Sequence, residues 1–259
     1  MRARLVVRTL SELCVTAGTL IVLLVVYVLY WTGVRADHAM DGAIDRLQDQ
    51  WSAGPVERPR PPATGDAADG STPPARGGGE RAAAPPARGG DRARGTGAAP
   101  GGYRDGRAFA VMYIPRFGPG WAKPVLQGTG TEVLKKGLGH YDRTAPLGAV
   151  GNFAVAGHRR TYGDPFKDVP ELRPGDAVVL TDGTTWYTYR VDRAPYRTRP
   201  EDIGVIDPVP AASGFRGPGR YLTLTTCEPE WGHSHRLIVW ARLDGTRPVS
   251  DGRPGALSG

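Results

Sequence analysis

From Ala53 to Gly102 the chain is built almost entirely of Ala, Gly, Pro, Arg and Asp, with Val56 the only large aliphatic residue and no aromatic. Such a stretch has too little apolar surface to offset the entropy of ordering it, so it acts as a tether with an end-to-end distance of about 40 Å. Everything that can pack a core must therefore lie before it or after it. With 37 Gly, 24 Pro and 40% hydrophobic residues in 259 positions, one modest domain is expected. The expected layout is a linker over 53–106, a domain over 107–247 and a disordered tail over 248–259.

On the amino-terminal side, residues 13–31 (LCVTAGTLIVLLVVYVLYW) carry no charge. At about 1.5 Å per residue this run is long enough to cross most of a roughly 30 Å hydrocarbon layer as one transmembrane helix. Tyr27, Tyr30 and Trp31 gather at its far end, where amphipathic rings favour the headgroup region. Arg2, Arg4 and Arg8 precede the run, whereas Arg35 is accompanied by Asp37 and Asp41. That asymmetry predicts a cytoplasmic segment at 1–12 and an exported domain, anchored in the cell membrane by a single pass. A cleaved signal peptide is the competing reading, but no small-residue cleavage site follows the apolar run. Met40, Ile44, Leu47 and Trp51 then recur at helical spacing, predicting a short amphipathic helix within 32–52. It would pack on the membrane or the domain as a stalk, or act as an autoinhibitory or dimerising element.

After Tyr103 short apolar segments alternate with Gly, Pro and Asp punctuation, which is the signature of strands. They are expected at 108–114, 152–156, 177–181, 186–191, 221–226 and 237–243, with weaker candidates near Val125 and Val205. Asp182 and Gly183 mark a hairpin turn. Helical signal is confined to Thr131–Leu138 and Phe166–Leu172. The domain is thus mainly β, a closed barrel or a sandwich with short helices. A formal charge of +7 is spread without a dense basic run, which argues against nucleic acid as a partner.

Of two cysteines, Cys14 lies in the apolar run, so Cys227 is the only thiol of the exported part and has no disulfide partner there. It ends the apolar strand YLTLTTC and precedes the polar loop EPEWGHSH. An unpaired thiol at a strand edge points to a nucleophile, although a small buried hydrophobe is the plainer alternative. Arg236 opens the next strand, RLIVWARL; if the two strands pair as a hairpin, a permanent cation lies beside the thiol. Such a cation can lower a thiol pKa or stabilise an oxyanion. A base is also needed, and His158 emerges from the apolar run NFAVAGH. His140, His233 and His235 compete for that place. A metal held by Cys227, His233 and His235 fits no standard ligand spacing.

The segments TLTTC with an Arg nine positions on, and NFAVAGHR about seventy residues before, resemble the signature of sortases. YIPRFG, GLGHYDRTA, TYGDPF and LIVWARL are similar in particular to the class E sortases of high-GC Gram-positive bacteria. The resemblance spans Ala108 to Leu243 and implies a closed eight-stranded β-barrel. It further implies Cys227 as nucleophile, His158 as acid/base and Arg236 as stabiliser of substrate or oxyanion. Thr226 before the Cys, Tyr162 and His140 are the substrate-contacting candidates that it adds.

The implied reaction cuts an LAxTG-like C-terminal sorting signal between Thr and Gly and passes the thioester to a peptidoglycan precursor amine. Its partners are secreted proteins bearing that signal. No metal and no cofactor is expected, since no acidic cluster suggests the calcium site of some other sortases. A pilin-polymerising sortase, a hydrolytic peptidase and a noncatalytic barrel that binds envelope peptides stay open at this point.

Overall fold

A computed structural model describes residues 2–53 and 102–258. The expected linker falls, over 54–101, outside the described residues. The first element, α1, is one continuous helix Arg2–Ser52, where two separate helices are expected from the sequence. Nothing in the sequence breaks it: there is no proline, and Gly18, Gly33 and Gly42 each cost only about 1 kcal/mol in a helix interior. Its window Leu10–Tyr27 has a mean hydropathy of 2.1 and is long and apolar enough to cross a membrane.

The domain contains strands β1 (Ala108–Tyr113), β2 (Ala122–Gln127), β3 (Leu138–His140), β4 (Gly151–Ala156), β5 (Ala177–Thr181), β6 (Thr185–Val191), β7 (Tyr196–Thr198), β8 (Arg220–Glu228) and β9 (His235–Pro248). A single turn of helix, α2 (Thr131–Leu134), lies between β2 and β3. The sheet runs β6-β5-β1-β2-β3-β4-β8-β9, and the pairing of β6 with the far half of β9 closes it. Eight strands therefore form the barrel, as the resemblance implies. The ninth, β7, pairs with the near end of β9 at Leu237 and its neighbours.

Alternation along the strands sets what lies inside. Ala110 and Met112 of β1, Phe153 and Val155 of β4, Leu222 and Leu224 of β8, and Leu237, Val239 and Ala241 of β9 share one core. Their neighbours point outward and meet three separate coverings, because a strand turns successive side chains to opposite faces. Val111 is covered by Ile44 and Leu47 of α1. Ile238, Trp240 and Tyr221 are covered by Val205 and Phe215, from the segment between β7 and β8. Ala177, Val179 and Trp186 are covered by Val249, Ala256 and Leu257.

The tail 248–259 is ordered through residue 258: it turns twice as 3₁₀ helix, and its apolar residues seat on the outer face of β5 and β6. Ahead of residue 107, Tyr103 stacks on Phe109 with ring centroids 3.7 Å apart. The candidate strand near Val205 is a 3₁₀ turn, Ile203–Ile206. Its Val205 carbonyl accepts from the indole N–H of Trp240 at 3.0 Å, so a covering lid needs that carbonyl free of a ladder.

The hairpin at Asp182-Gly183 is present, with a longer turn than a two-residue loop. The Asp182 carboxylate accepts from the backbone N–H groups of Thr184 and Thr185, and Gly183 adopts φ 87°. A side chain at Gly183 would run into the ring of Trp51, so the same glycine admits the end of α1.

Candidate active site

Cys227 and Arg236 are directly paired in the antiparallel β8–β9 ladder. Both lie out of phase with the core residues Leu222, Leu224, Leu237 and Val239, so both side chains face the outside of the barrel. Strand β4 runs parallel to β8 on the other side, with Ala156 opposite Thr225. Continuing that register by two residues places His158 beside Cys227, again on the outer face. The Gly157 N–H donates to the Thr225 carbonyl at 3.1 Å, which extends the ladder past the end of β4. Three neighbouring strands thus deliver a thiol, an imidazole and a guanidinium to one end of the barrel, on one face.

The hydroxyl of Thr226 donates to the Gly157 carbonyl at 2.9 Å. Thr226 is 3% exposed and inward-facing, and it is the stitch that fixes the His158 loop to the Cys227 strand. A second tie lies one residue further on. Arg159 forms an ion pair with Glu228 and also donates to the Cys227 carbonyl at 3.5 Å. A third runs from Arg160 to Glu230 at 2.8 Å, with the guanidinium 4.6 Å from the ring centroid of Trp231. The loops after His158 and after Cys227 are therefore bound together by charge, at sites partly shielded from screening. Arg159, Glu228 and Arg160 were not singled out from the sequence, and only their adjacency to His158 and Cys227 could have marked them.

His158 is half-buried, and its Nε2 lies within the protein without a hydrogen-bond partner among the described residues. Burial, and then the charge of Lys135, hold its pKa below the ordinary imidazole value. A neutral ring with a free nitrogen is the form able to take a proton. Tyr162 lies against it, ring centroids 5.2 Å apart. Tyr162 belongs to a run of four residues with positive φ, Thr161 at 83°, Tyr162 at 52°, Gly163 at 81° and Asp164 at 47°. For the β-branched Thr161 this conformation is costly, about 1–3 kcal/mol, and it persists only where the surroundings impose it. Asp164 Oδ1 accepts from the Thr161 N–H at 2.6 Å and holds the turn closed.

Arg236 Nη1 donates to the carbonyls of His233 and His235, each at 3.0 Å. The guanidinium is thus aimed by its own loop. Beside it an open cavity of about 710 Å³ is lined by Arg197, Thr198, Arg199, Glu201, Asp202 and His235.

His140, the remaining candidate, lies in the core. It is wholly buried, stacked on Phe153 at 4.5 Å, with Nδ1 2.8 Å from Gln127 Oε1 and Nε2 3.1 Å from Thr144 Oγ1. Both of its ring nitrogens are thus engaged within the protein. Among the described residues no group of three His, Cys, Asp or Glu is placed to hold a metal ion.

Known proteins are similar to this chain in sequence and fold. Residues 112–244 match the family described as Sortase domain. Over 257 residues the chain is 35% identical to sortase SrtE1 of Streptomyces coelicolor, covering 96% of this chain and 60% of that protein's length. The structure of sortase E from Streptomyces avermitilis is 71% identical, with a TM-score of 0.57, and covers 60% of this chain and 99% of its own. That of sortase E1 from S. coelicolor, with a tripeptide in the active site, is 39% identical with a TM-score of 0.56, covering 59% and 97%. With an eight-stranded barrel, the family match over residues 112–244 and relatives of this similarity, the chain belongs to the sortase family.

Proposed function

We propose that this chain is a membrane-anchored transpeptidase that cleaves an LAxTG-like sorting signal between Thr and Gly and joins the released acyl group to a cell-wall peptidoglycan amine. The observation that carries the reading is the shared outer face of Cys227, His158 and Arg236 at the ends of β4, β8 and β9. The tripeptide in the active site of S. coelicolor sortase E1 supports a peptide as the occupant of that face.

The steps follow from the groups. Cys227 Sγ adds to the Thr carbonyl carbon while the thiol proton passes to the neutral His158. Arg236 donates to the resulting oxyanion or to the substrate beside it. The C–N bond breaks, and His158 returns the proton to the departing Gly amine. In the thioester that remains, an incoming amine attacks the carbonyl, His158 takes its proton, the C–S bond breaks, and His158 passes that proton to the departing Cys227 sulfur. The atoms balance without a cofactor: one amide replaces another.

The apolar window of α1 supports anchorage, and the arginines before it support an exported barrel. In mass spectrometry of the full chain mixed with an LAxTG peptide and excess amine, a thioester on Cys227 and a ligated Thr–amine product are expected. A chain with a reduced thiol that yields neither, across related peptides, refutes the reading. Hydrolysis that persists unchanged under saturating amine would mark a peptidase instead.

A further inference from the structure

The far half of α1 reaches the loop that follows His158. Met40 is completely buried, and a Cβ added at Gly163 would stand 2.5 Å from Met40 Cε and 2.6 Å from Asp37 Oδ1. Asp37 is itself held to the barrel, 2.9 Å from Nζ of Lys123 on β2. Ile44 and Leu47 pack on Val111, and Trp51 sits over Gly183, so this half of the helix is fastened from Asp37 to Trp51. Gly163 lies inside the left-handed run that presents Tyr162 to His158. On the loop's other side Lys135, at the end of α2, stands 5.7 Å from the Tyr162 ring centroid. The loop is thus closed internally by Asp164, flanked by α2, and backed by α1.

We propose that the juxtamembrane half of α1 is a positioning element of the catalytic centre, with Met40 and Asp37 as positioning residues that hold Thr161–Asp164 and, through Tyr162, the imidazole of His158. Four consecutive residues at positive φ do not stay there on local preference, and Met40 fills the space into which the turn would relax. A membrane helix that only tethered the barrel would need no buried methionine under an active-site loop. The arrangement couples the orientation of the anchor to the geometry of the reacting groups. The inference rests on the function proposed above, because it assigns Met40 and Asp37 to His158's task.

The test uses the full chain in detergent micelles, with wild type, Met40→Ala, Met40→Leu and Lys123→Ala, and Asp45→Ala on the exposed side of α1 as control. Two readouts are taken: hydrogen exchange of the backbone at 158–166 without substrate, and kcat and KM for peptide ligation. Met40→Ala and Lys123→Ala are expected to speed exchange at 161–164 by tenfold or more. They should also lower kcat by about tenfold with KM within twofold, while Met40→Leu restores both and Asp45→Ala changes neither. Unaltered exchange in Met40→Ala and Lys123→Ala overturns the proposal, as does faster exchange with unaltered kcat. A wild type that ligates nothing sinks the proposed function and this inference with it. That failure is distinct, because exchange is read without turnover.

Discussion

Cys227 and Arg236 stand opposite each other in the β8–β9 ladder, and alternation turns both to the outer face of the barrel. No flexible loop brings these two together: the register of the longest strand pair in the molecule does so. A one-residue slip would send both side chains into the core, and the buried Leu224, Thr226 and Leu237 resist it.

The first prediction concerns that pair. Cys227→Ala abolishes ligation while leaving thermal unfolding within a few degrees of wild type, since the side chain is only partly buried. Arg236→Ala lowers kcat/KM by about 10²–10³-fold, the scale of losing one oxyanion donor. Arg236→Lys recovers only part, because an ammonium keeps the charge and loses the fork that His233 and His235 carbonyls aim. Steady-state ligation kinetics check all three, and near-normal rates for Arg236→Ala would remove it from the reaction.

A second prediction follows from the environment of His158. Burial and the Lys135 charge favour its neutral form, so an NMR titration of the ring should place its pKa below 6.5, the ordinary imidazole value. Lys135→Gln removes one of the two causes and should move the titration upward. His158→Ala costs about 10²–10⁴-fold in kcat. A ring that titrates at or above its usual value would contradict the burial seen at Nε2.

Thr226 gives a third. In Thr226→Val a methyl replaces the hydroxyl that donates to the Gly157 carbonyl, leaving a buried acceptor unpaired. The expected loss of stability is about 1–3 kcal/mol, read by denaturant unfolding. Because Gly157 precedes His158, kcat should fall as well; Thr226→Ser, which keeps the donor, should restore most of it. A Thr226→Val enzyme with altered KM and unchanged kcat would return Thr226 to substrate contact.

These expectations separate what was legible in the chain from what was not. Long alternating runs, such as Leu222–Leu224 and Leu237–Ala241, declare their faces, so the strand pair and its terminal Cys and Arg were readable. The same counting from Leu224 would have turned Thr226 inward. Strands β3 and β7 were missed because three residues carry no period, and pairing with longer neighbours makes them strands. The tail escaped notice because its three apolar residues lie scattered among Gly, Pro and Ser, and only the exposed face of β5 and β6 gives them a partner. His140 looked like a residue of a glycine-rich loop, since Gly137 and Gly139 precede it. Yet Gly139 is there because Leu134 and the Gly128 carbonyl press against it, which draws the neighbouring imidazole into the core.

That burial supports the last prediction. His140 is held neutral, its pKa lowered from 6.5 to about 4 by desolvation, against which the bond to Ala145 works only weakly. In the unfolded chain the ring protonates near its ordinary value, so below about pH 6.5 the unfolded state binds a proton that the folded state refuses. Stability is therefore full above that pH and is lost as pH falls toward 4, by on the order of 3 kcal/mol in all. Carboxylates titrate in part of the same window, so the comparison is with His140→Gln, which keeps a donor and an acceptor and cannot charge. Between pH 7 and pH 4.5 the wild type should lose about 2–3 kcal/mol more than the variant in urea unfolding. Equal losses in the two proteins would mean that the ring charges in place, with water or a movement of Gln127 and Thr144 to receive it.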